Sequence, residues 1–473
     1  MASPNIAFDS IPSSIRVPGQ YLEFNTRLAV RTLPGNPQKV LLIGQMLASG
    51  TTAPLQAIDV FSDEQAAVYF GRGSIAHLMA TAAITSNSYL QLQMIGVSDA
   101  TAGKAATGTV TVAGSATGSG TVSVWVGATR VDVAIDAGDT AAAIATALAT
   151  AITQQSDLPV TAAATAAAVT LTARNKGEAG NGIVLQAQST ATGATVTVVA
   201  MTGGEVDPDI APALAAVFAA GHNIVATPFS TAAALTALRT HLDETGGPLE
   251  KRGAVGVAGW CKSLSTGTTL ASQINAGRIT LGWHNGSAKL PAEIAASYAA
   301  VMASEEDPAR PLNTLQLKAL DVTALASRPG RNEQENALHN GLTPFVVGAG
   351  DKVQIVRAIS TYTKNAQGVD DVALLDITTI RTLDYVRKAC GDRIALRFPR
   401  DKLSSRTPAK VRSELLDVLI KLEELEIVEN VTENQAALIV ERDSQDVNRL
   451  NAAIPTDIVN GLHVFAGRID LLL

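Results

Sequence analysis

"RGAVGVAGWCKSLSTGTTLASQINAGRITLGWH" (residues 252–284) is the stretch whose reading sets the fold class. It opens with a run of small apolar residues that reads as a buried strand. "STGTTLASQINAG" then reads as a helix, and "RITLGWH" as a second strand. Strand, helix and strand within about thirty residues is the pattern of a parallel, doubly wound sheet. The same rhythm extends in both directions. Upstream stand "DIAPALAAVFAAG" (helix), "HNIVATPF" (strand) and "STAAALTALRTHLDET" (helix), and downstream "LPAEIAASYAAVMASEE" (helix). Nearer the N-terminus, "KVLLIGQ" (Lys39–Gln45) and "YLQLQMIGV" (Tyr89–Val97) read as strands flanking a helical stretch. Ser62 or Asp63 can cap that stretch, and Gly71 and Gly73 interrupt it.

Composition shifts between about Ser98 and Glu205, where Ala, Thr, Gly and Val dominate and charges are few. "TGTVTVAGSATGSGTVSVWVGATRVDVAI" reads as about three strands with glycine turns. "DTAAAIATALATAI" is a helix capped by Asp139 or Thr140, and "AAAVTLTARNKGEAGNGIVLQAQ" returns to strand, turn and strand. Core patterning flanks this stretch on both sides. It therefore reads as a small β-rich α+β domain inserted into a surface loop, and its removal is expected to leave the core folded. After residue 341, "LTPFVVGAGDKVQIVRAI" reads as a hairpin turning at "GAGD". "DDVALLDITTIRTLDYVRKACGDRIALRF" reads as one long helix and "TPAKVRSELLDVLIKLEELEIVENV" as another, with Pro408 in its first turn. "QAALIVERD" and "GLHVFAGRIDLL" read as strands.

The fold class expected is α/β and multi-domain. It has a mixed or mainly parallel sheet core with flanking helices, an inserted small β-rich domain, and extended N- and C-terminal arms. The expected divisions are an arm at 1–25, core at 26–97, the insert at 98–205, core again at 206–340, a C-terminal part at 341–452 and a last strand at 453–473.

The chain of 473 residues is long enough to bury a large core. No apolar run approaches the ~18 residues of a membrane span, and the N-terminus lacks a basic segment followed by an apolar one. These features read as a soluble protein made in a reducing cytoplasm, with no membrane insertion. Two cysteines, Cys261 and Cys390, lie far apart and read as free thiols. A net charge of −7 argues against a general nucleic-acid surface.

A doubly wound sheet often hosts an enzyme, whose chemistry would need a recognisable set of residues. There is no P-loop, no H-E-x-x-H, no paired-cysteine motif and no G-x-S-x-G. "GAVGVAG" is not a dinucleotide fingerprint. His77, His222, His241, His284, His339 and His463 are scattered and read as surface or satisfied core residues. The pair Asp370–Asp371 has two readings, a metal or base site and the cap of the helix that follows; the cap is preferred. "RDKLSSR" supplies Arg400, Lys402 and Arg406, which could meet phosphate or an acidic partner surface; the acidic surface is preferred. Glu423 and Glu424 in "LEELEIVEN" supply such a surface on the same chain type. No catalytic residue, cofactor or metal ligand is expected.

The last third carries a resemblance. "GLTPFVV", "DKVQIVRAISTYTKNAQGVDDVALLDITTIRTLDYVR", "RFPRDKL", "LEELEIVENV", "LIVERDSQDVNRLNAAIP" and the terminal "LHVFAGRIDLLL" are similar to the tail sheath proteins of contractile phage tails, in their Mu-like branch. "FDSIPSSIRVPGQYLEF" (residues 8–24) is similar to the start of that branch, and the inserted stretch to an added domain of its members. The resemblance implies a structural subunit that stacks as homo-hexameric rings around a tail tube. It also implies contraction, without nucleotide hydrolysis, to drive the tube through a host envelope. Implied partners are the chain itself, the tube protein, and baseplate and terminator proteins, with no direct nucleic acid. The implied location is the virion tail, assembled in the bacterial cytoplasm. The sheath of a headless phage-tail-like particle is the nearest alternative, and a doubly wound hydrolase or nucleotide-binding enzyme the distant one.

The resemblance also implies that both ends cross to neighbouring subunits as added strands. Ile6, Phe8, Ile11, Arg16 and Tyr21 would lie on the N-terminal arm, which bends at Pro12, Pro18 and Gly19. Val464, Phe465, Ile469 and Leu471 would lie on the C-terminal strand. The competing expectation is that both ends pair within one subunit.

Overall fold

A computed structural model describes residues 15–22 and 33–472. Ile6, Phe8 and Ile11 lie outside the described residues, as does the arm segment around Glu23 and Phe24. The core begins with β1 (Lys39–Gln45), β2 (Ala57–Asp59), α1 (Asp63–Phe70), α2 (Ile75–Ser86) and β3 (Gln91–Val97). Ser62 caps α1 by accepting from the Gln65 amide, and Ser74 caps α2 by accepting from the His77 amide. Gly71 and Gly73 separate the two helices at φ of +88° and +76°, a left-handed backbone that glycine adopts without steric cost.

The next stretch holds β4 (Thr107–Ala113), β5 (Gly120–Val126), β6 (Thr129–Ile135), α3 (Ala141–Gln154), β7 (Val160–Thr165), β8 (Ala168–Ala173), β9 (Leu185–Ser189) and β10 (Thr195–Thr202). These strands form two antiparallel sheets, ordered β10-β4-β8-β7 and β6-β5-β9. Thr140 caps α3, whose Ile144, Leu148 and Ile152 recur at helical spacing and are buried.

The core resumes with α4 (Ala211–Ala216), β11 (Ile224–Ala226), α5 (Ala232–Thr245), β12 (Val255–Trp260), α6 (Leu264–Ile274), β13 (Ile279–Trp283), α7 (Pro291–Ala303), α8 (Arg331–His339), β14 (Thr343–Gly348) and β15 (Lys352–Ile355). α4 and β11 are shorter than their sequence patterns predict. The main sheet runs β15-β14-β13-β12-β11-β1-β3-β2. Its six inner strands are parallel, and the edge strands β2 and β15 are antiparallel. Chain order reverses at β1, which lies between β3 and β11, so the topological switch point falls there.

The two faces follow the period-2 alternation of β1. Val40 and Leu42 join the core under α2 and α7, while Leu41 and Ile43 join the core under α5 and α6. Ala292–Ala303 of α7 are buried on every side. The helix reaches the sheet through Gly259, where an added Cβ would sit 2.2 Å from the Pro291 carbonyl oxygen and 2.9 Å from the Ala295 amide. Both are backbone atoms, so the overlap has no flexible side chain to relieve it. Gly259→Ala is expected to cost about 1–3 kcal/mol in urea denaturation; a loss below ~0.5 kcal/mol would mean that α7 retreats freely.

The C-terminal part contains α9 (Ile377–Arg397), α10 (Thr407–Glu424), β16 (Val428–Glu429), α11 (Val431–Asn434), β17 (Ile439–Arg442), β18 (Leu450–Ala453) and β19 (Asp457–Ile458). It has its own core, with Tyr385, Val386, Ala389 and Cys390 of α9 packed on Val411, Leu415, Val418, Leu419 and Leu422 of α10. Two expectations are corrected here. The helix does not start at Asp370–Asp371. It starts at Ile377 with Asp376 at the N-cap, and Arg357 grips the Asp376 carboxylate through two bonds of 2.8 Å. Asp371 instead accepts from the Tyr362 hydroxyl at 2.6 Å and the Ala373 amide at 2.9 Å, which closes a turn. The terminal stretch "GLHVFAGRIDLL" is not a strand within its own chain, because none of its backbone groups pairs with a described strand.

Candidate assembly interface

After Val459, whose amide reaches the Ile427 carbonyl, the chain leaves the fold. His463 still touches the body through Asn313 at 2.9 Å. Beyond it the apolar side chains face outward, with Val464 73 %, Phe465 88 %, Ile469 99 % and Leu471 82 % exposed. Large apolar residues scattered singly are ordinary, but a run of them on an unpaired segment is a surface that lacks its partner. The C-terminal end therefore does not pair with described residues of its own chain. The described part of the N-terminal arm has the same character. Val17 and Leu22 are exposed, Arg16 is exposed, and Tyr21 folds back so that its hydroxyl donates to the Val17 carbonyl at 3.0 Å.

β17 and β18 form an isolated antiparallel pair with both outer edges open among the described residues. A two-stranded ribbon is marginal alone in water, and open edges offer main-chain donors and acceptors to further strands. The ribbon is held to the body by Arg412 of α10, whose Nε donates to the Leu438 carbonyl at 2.8 Å.

The electrostatic residues divide. Arg400, Lys402 and Arg406 are exposed and lie in the α9–α10 loop, and no salt bridge holds them among the described residues. The acidic face of α10 is largely spent within the chain. Buried Arg393 contacts Glu414 at 3.1 Å and Asp417 at 2.6 Å, Arg397 also reaches Glu414, and Lys421 reaches Asp417. Glu423 accepts from the Val431 amide at 2.9 Å. Glu424 alone of the two glutamates is fully exposed. Sequence reasoning missed this internal pairing because Arg393 and the carboxylates stand on different helices.

In doubly wound enzymes the ligand crevice lies at the carboxyl ends of the strands, beside the switch point. Here that end of β11 and β12 opens on a cavity of about 190 Å³ lined by Phe229, Trp260 and Cys261. Residues of the β8–β9 connection, Glu178 to Gly182, form its roof together with Asp207. Burial pushes the Cys261 thiol up, away from nucleophilic thiolate, and also pushes the Asp207 carboxyl up. Asp207 accepts from the Ala179 amide at 3.0 Å, which anchors the roof. The crevice is thus bordered on that side by the chain's own β8–β9 connection.

Comparisons with known proteins agree with this architecture. Residues 203–361 match the phage tail sheath protein central domain, and residues 369–471 the phage tail sheath C-terminal domain. Over 494 aligned positions the chain is 34 % identical to the Mu-like prophage FluMu tail sheath protein of Haemophilus influenzae, covering 99 % of this chain and 100 % of that one. The fold is similar to the sheath tail protein of Desulfitobacterium hafniense, with a TM-score of 0.53, 15 % identity, and coverage of 94 % and 97 %. It is also similar to the sheath tail protein of Listeria innocua, with a TM-score of 0.51, 13 % identity, and coverage of 91 % and 94 %. The chain belongs to the phage tail sheath family, in its Mu-like branch.

Proposed function

We propose that the chain is the non-enzymatic subunit of a contractile tail sheath, stacking as hexameric rings around a tail tube and shortening to push that tube through a host envelope. The observation that carries this reading is the exposed apolar segment from Val464 to Leu471, which leaves the fold unpaired while β17 and β18 keep open edges. A segment that adds a strand to a neighbour's sheet satisfies both at once. Heterologous contacts of this kind generate rings where the rotation closes and open helical stacks where it does not. The N-terminal arm, through Arg16 and Tyr21 and the residues before them, is the second link. Arg400, Lys402 and Arg406 on one copy and Glu424 on another are the charged contacts, with Glu423 a weaker candidate. Residues 98–205 form an outward-facing insert on the core, 1–25 and, beyond β19 and Val459, 460–473 the linking arms, and 341–459 the region that carries the ribbon. The tube, baseplate and terminator proteins are the remaining partners, and the virion tail is the location.

The energetics need no nucleotide. Burial of on the order of 300 Å² more apolar surface per subunit in the short lattice than in the long one gives about 7 kcal/mol per subunit. Summed over many subunits, that difference drives an irreversible shortening. Negative-stain microscopy of the pure protein is expected to show rings or hollow tubes. Removal of residues 1–20, or of residues 460–473, is expected to leave the circular dichroism spectrum and melting unchanged while linked tubes disappear. Normal tubes from either truncation would refute the linking role of that arm.

A further inference from the structure

At the opposite end of the sheet from that crevice, the amino ends of β1, β11 and β12 border a second cavity of about 290 Å³. Lys39 begins β1, Lys251 and Arg252 precede β12, and Arg381 and Lys388 project from α9 into the same lining. The one carboxylate in that lining among the described residues, Asp384, is already held by Arg278 through bonds of 2.6 and 3.0 Å and by Arg387 at 2.8 Å. Arg252 pairs with Glu250, and Glu305 and Asp307 act on Arg381, which leaves Lys39, Lys251 and Lys388 without a salt bridge among the described residues around the space.

Two donors are also unmet. Arg381 is 7 % exposed, and its Nη2 donates to the Glu305 carbonyl while its Nη1 is buried with no partner among the described residues. The Nε of Arg252 is likewise buried and unpartnered, and the Arg252 guanidinium lies over the Phe218 ring, which holds it in place. Buried charged donors rarely stay without acceptors, and leaving them so is destabilising. Two arginines line one cavity and share this defect among the described residues.

We propose that this cavity binds a phosphate-type oxyanion. A single carboxylate offers one charge and few acceptor sites, whereas a phosphoryl group carries nearly two charges and three acceptor oxygens. That matches two unmet guanidinium donors and a ring of lysines. The cavity wall includes Asn36 to Lys39, and α9 holds the adjoining linker through Tyr385 to the Pro34 carbonyl at 2.9 Å and Lys388 to the Gly35 carbonyl at 3.0 Å. An anion seated beside Lys388 therefore sits at the root of the N-terminal arm.

The test is calorimetry and thermal shift on the full, unassembled chain, with inorganic phosphate against chloride and acetate at matched ionic strength. A second arm uses a small phosphate monoester, to separate free phosphate from the phosphoryl group of a larger ligand. Phosphate, the monoester or both are expected to bind saturably, and acetate and chloride are not. Lys251→Met and Arg252→Met are each expected to weaken binding about tenfold, the scale of one charge-assisted hydrogen bond. Lys104→Met, whose ammonium pairs with Glu205 well away from this lining, is expected to change nothing. Arg381→Met should abolish binding; if it fails to fold, the Lys251 and Arg252 variants decide. A response equal to that of chloride, or one that these variants leave intact, overturns the site.

Discussion

Replacing Asn175 by Ala is expected to destabilise the chain by about 3–4 kcal/mol, read from urea denaturation, because three backbone and side-chain groups lose a buried partner together. Asn175 stands just after β8, in the inserted stretch, yet two of its three contacts, Ile75 and Met46, lie in the flanking core. Its Oδ1 accepts from the Ile75 amide at 2.9 Å, one of the orphan donors at the start of α2. Its Nδ2 donates to the Met46 carbonyl at 3.1 Å and to Asp99 at 3.2 Å. Gln45, fully buried at the end of β1, donates to the same Asp99 oxygen at 2.7 Å and to the Lys176 carbonyl at 2.6 Å. The carboxyl end of β1 is thus completed by residues from beyond β8. Excising residues 98–205 would remove Asp99, Asn175 and Lys176 at once, leaving a buried Gln45 without partners and uncovering Ile75. The shortened core is expected to melt far below the full chain. An Asn175→Ala variant with unchanged stability would show that these bonds are replaced by water at no cost.

The same contacts explain what was legible in the sequence and what was not. Periodicity exposed the alternating strands and helices from Lys39 to Ala303, because each element must hide one face. Glycine turns and an Ala/Thr composition exposed the inserted stretch, although Ala-rich β7 passed unnoticed because its small residues hardly alternate in polarity. The start of α9 was misread because Asp370, Asp371 and Asp376 are all plausible caps; the partner that decides, Arg357, stands far upstream in sequence. The terminal segment reads as a strand from its composition, which is sound as local propensity, but a strand also needs a paired edge, and the segment leaves the fold without joining one among the described residues. The Gln45–Asp99–Asn175 network and the basic cavity were illegible for a common reason. Their members, such as Lys39, Lys251 and Arg381, meet only after the sheet has brought distant segments together.

Acid should weaken the fold well before the carboxylates titrate. His222 is buried, and burial, with Lys39 and His241 adding repulsion, pushes its imidazole down to about 4 from an ordinary 6.5, while Asp59 opposes weakly. Its Nε2 meets the Gln93 side chain at 2.8 Å. A group whose folded pKa lies below its unfolded value binds fewer protons when folded, so stability is fully present above about pH 6.5 and is lost as pH falls toward 4. For His222 alone the loss amounts to about 3 kcal/mol at the bottom of that window. Burial also pushes His77, His241, His284 and His463 down, so their losses add in the same direction. His77 gives the reason in atomic terms: its Nδ1 accepts from the Gly73 amide at 3.1 Å, and protonation would turn that acceptor into a second donor. Two carboxyls bound the window. Asp207, raised by burial, acts with the opposite sign and offsets part of the loss. Asp443, held down to about 2 mainly by backbone and Asn451 hydrogen bonds, releases its contribution only below the ordinary carboxylate range. Urea midpoints measured at half-unit steps from pH 7.5 to 4.5 are expected to fall continuously below 6.5, and His222→Gln to flatten the slope by about one proton. A midpoint that stays level down to pH 5 would mean that the histidines take up protons in the folded chain as readily as in the unfolded one.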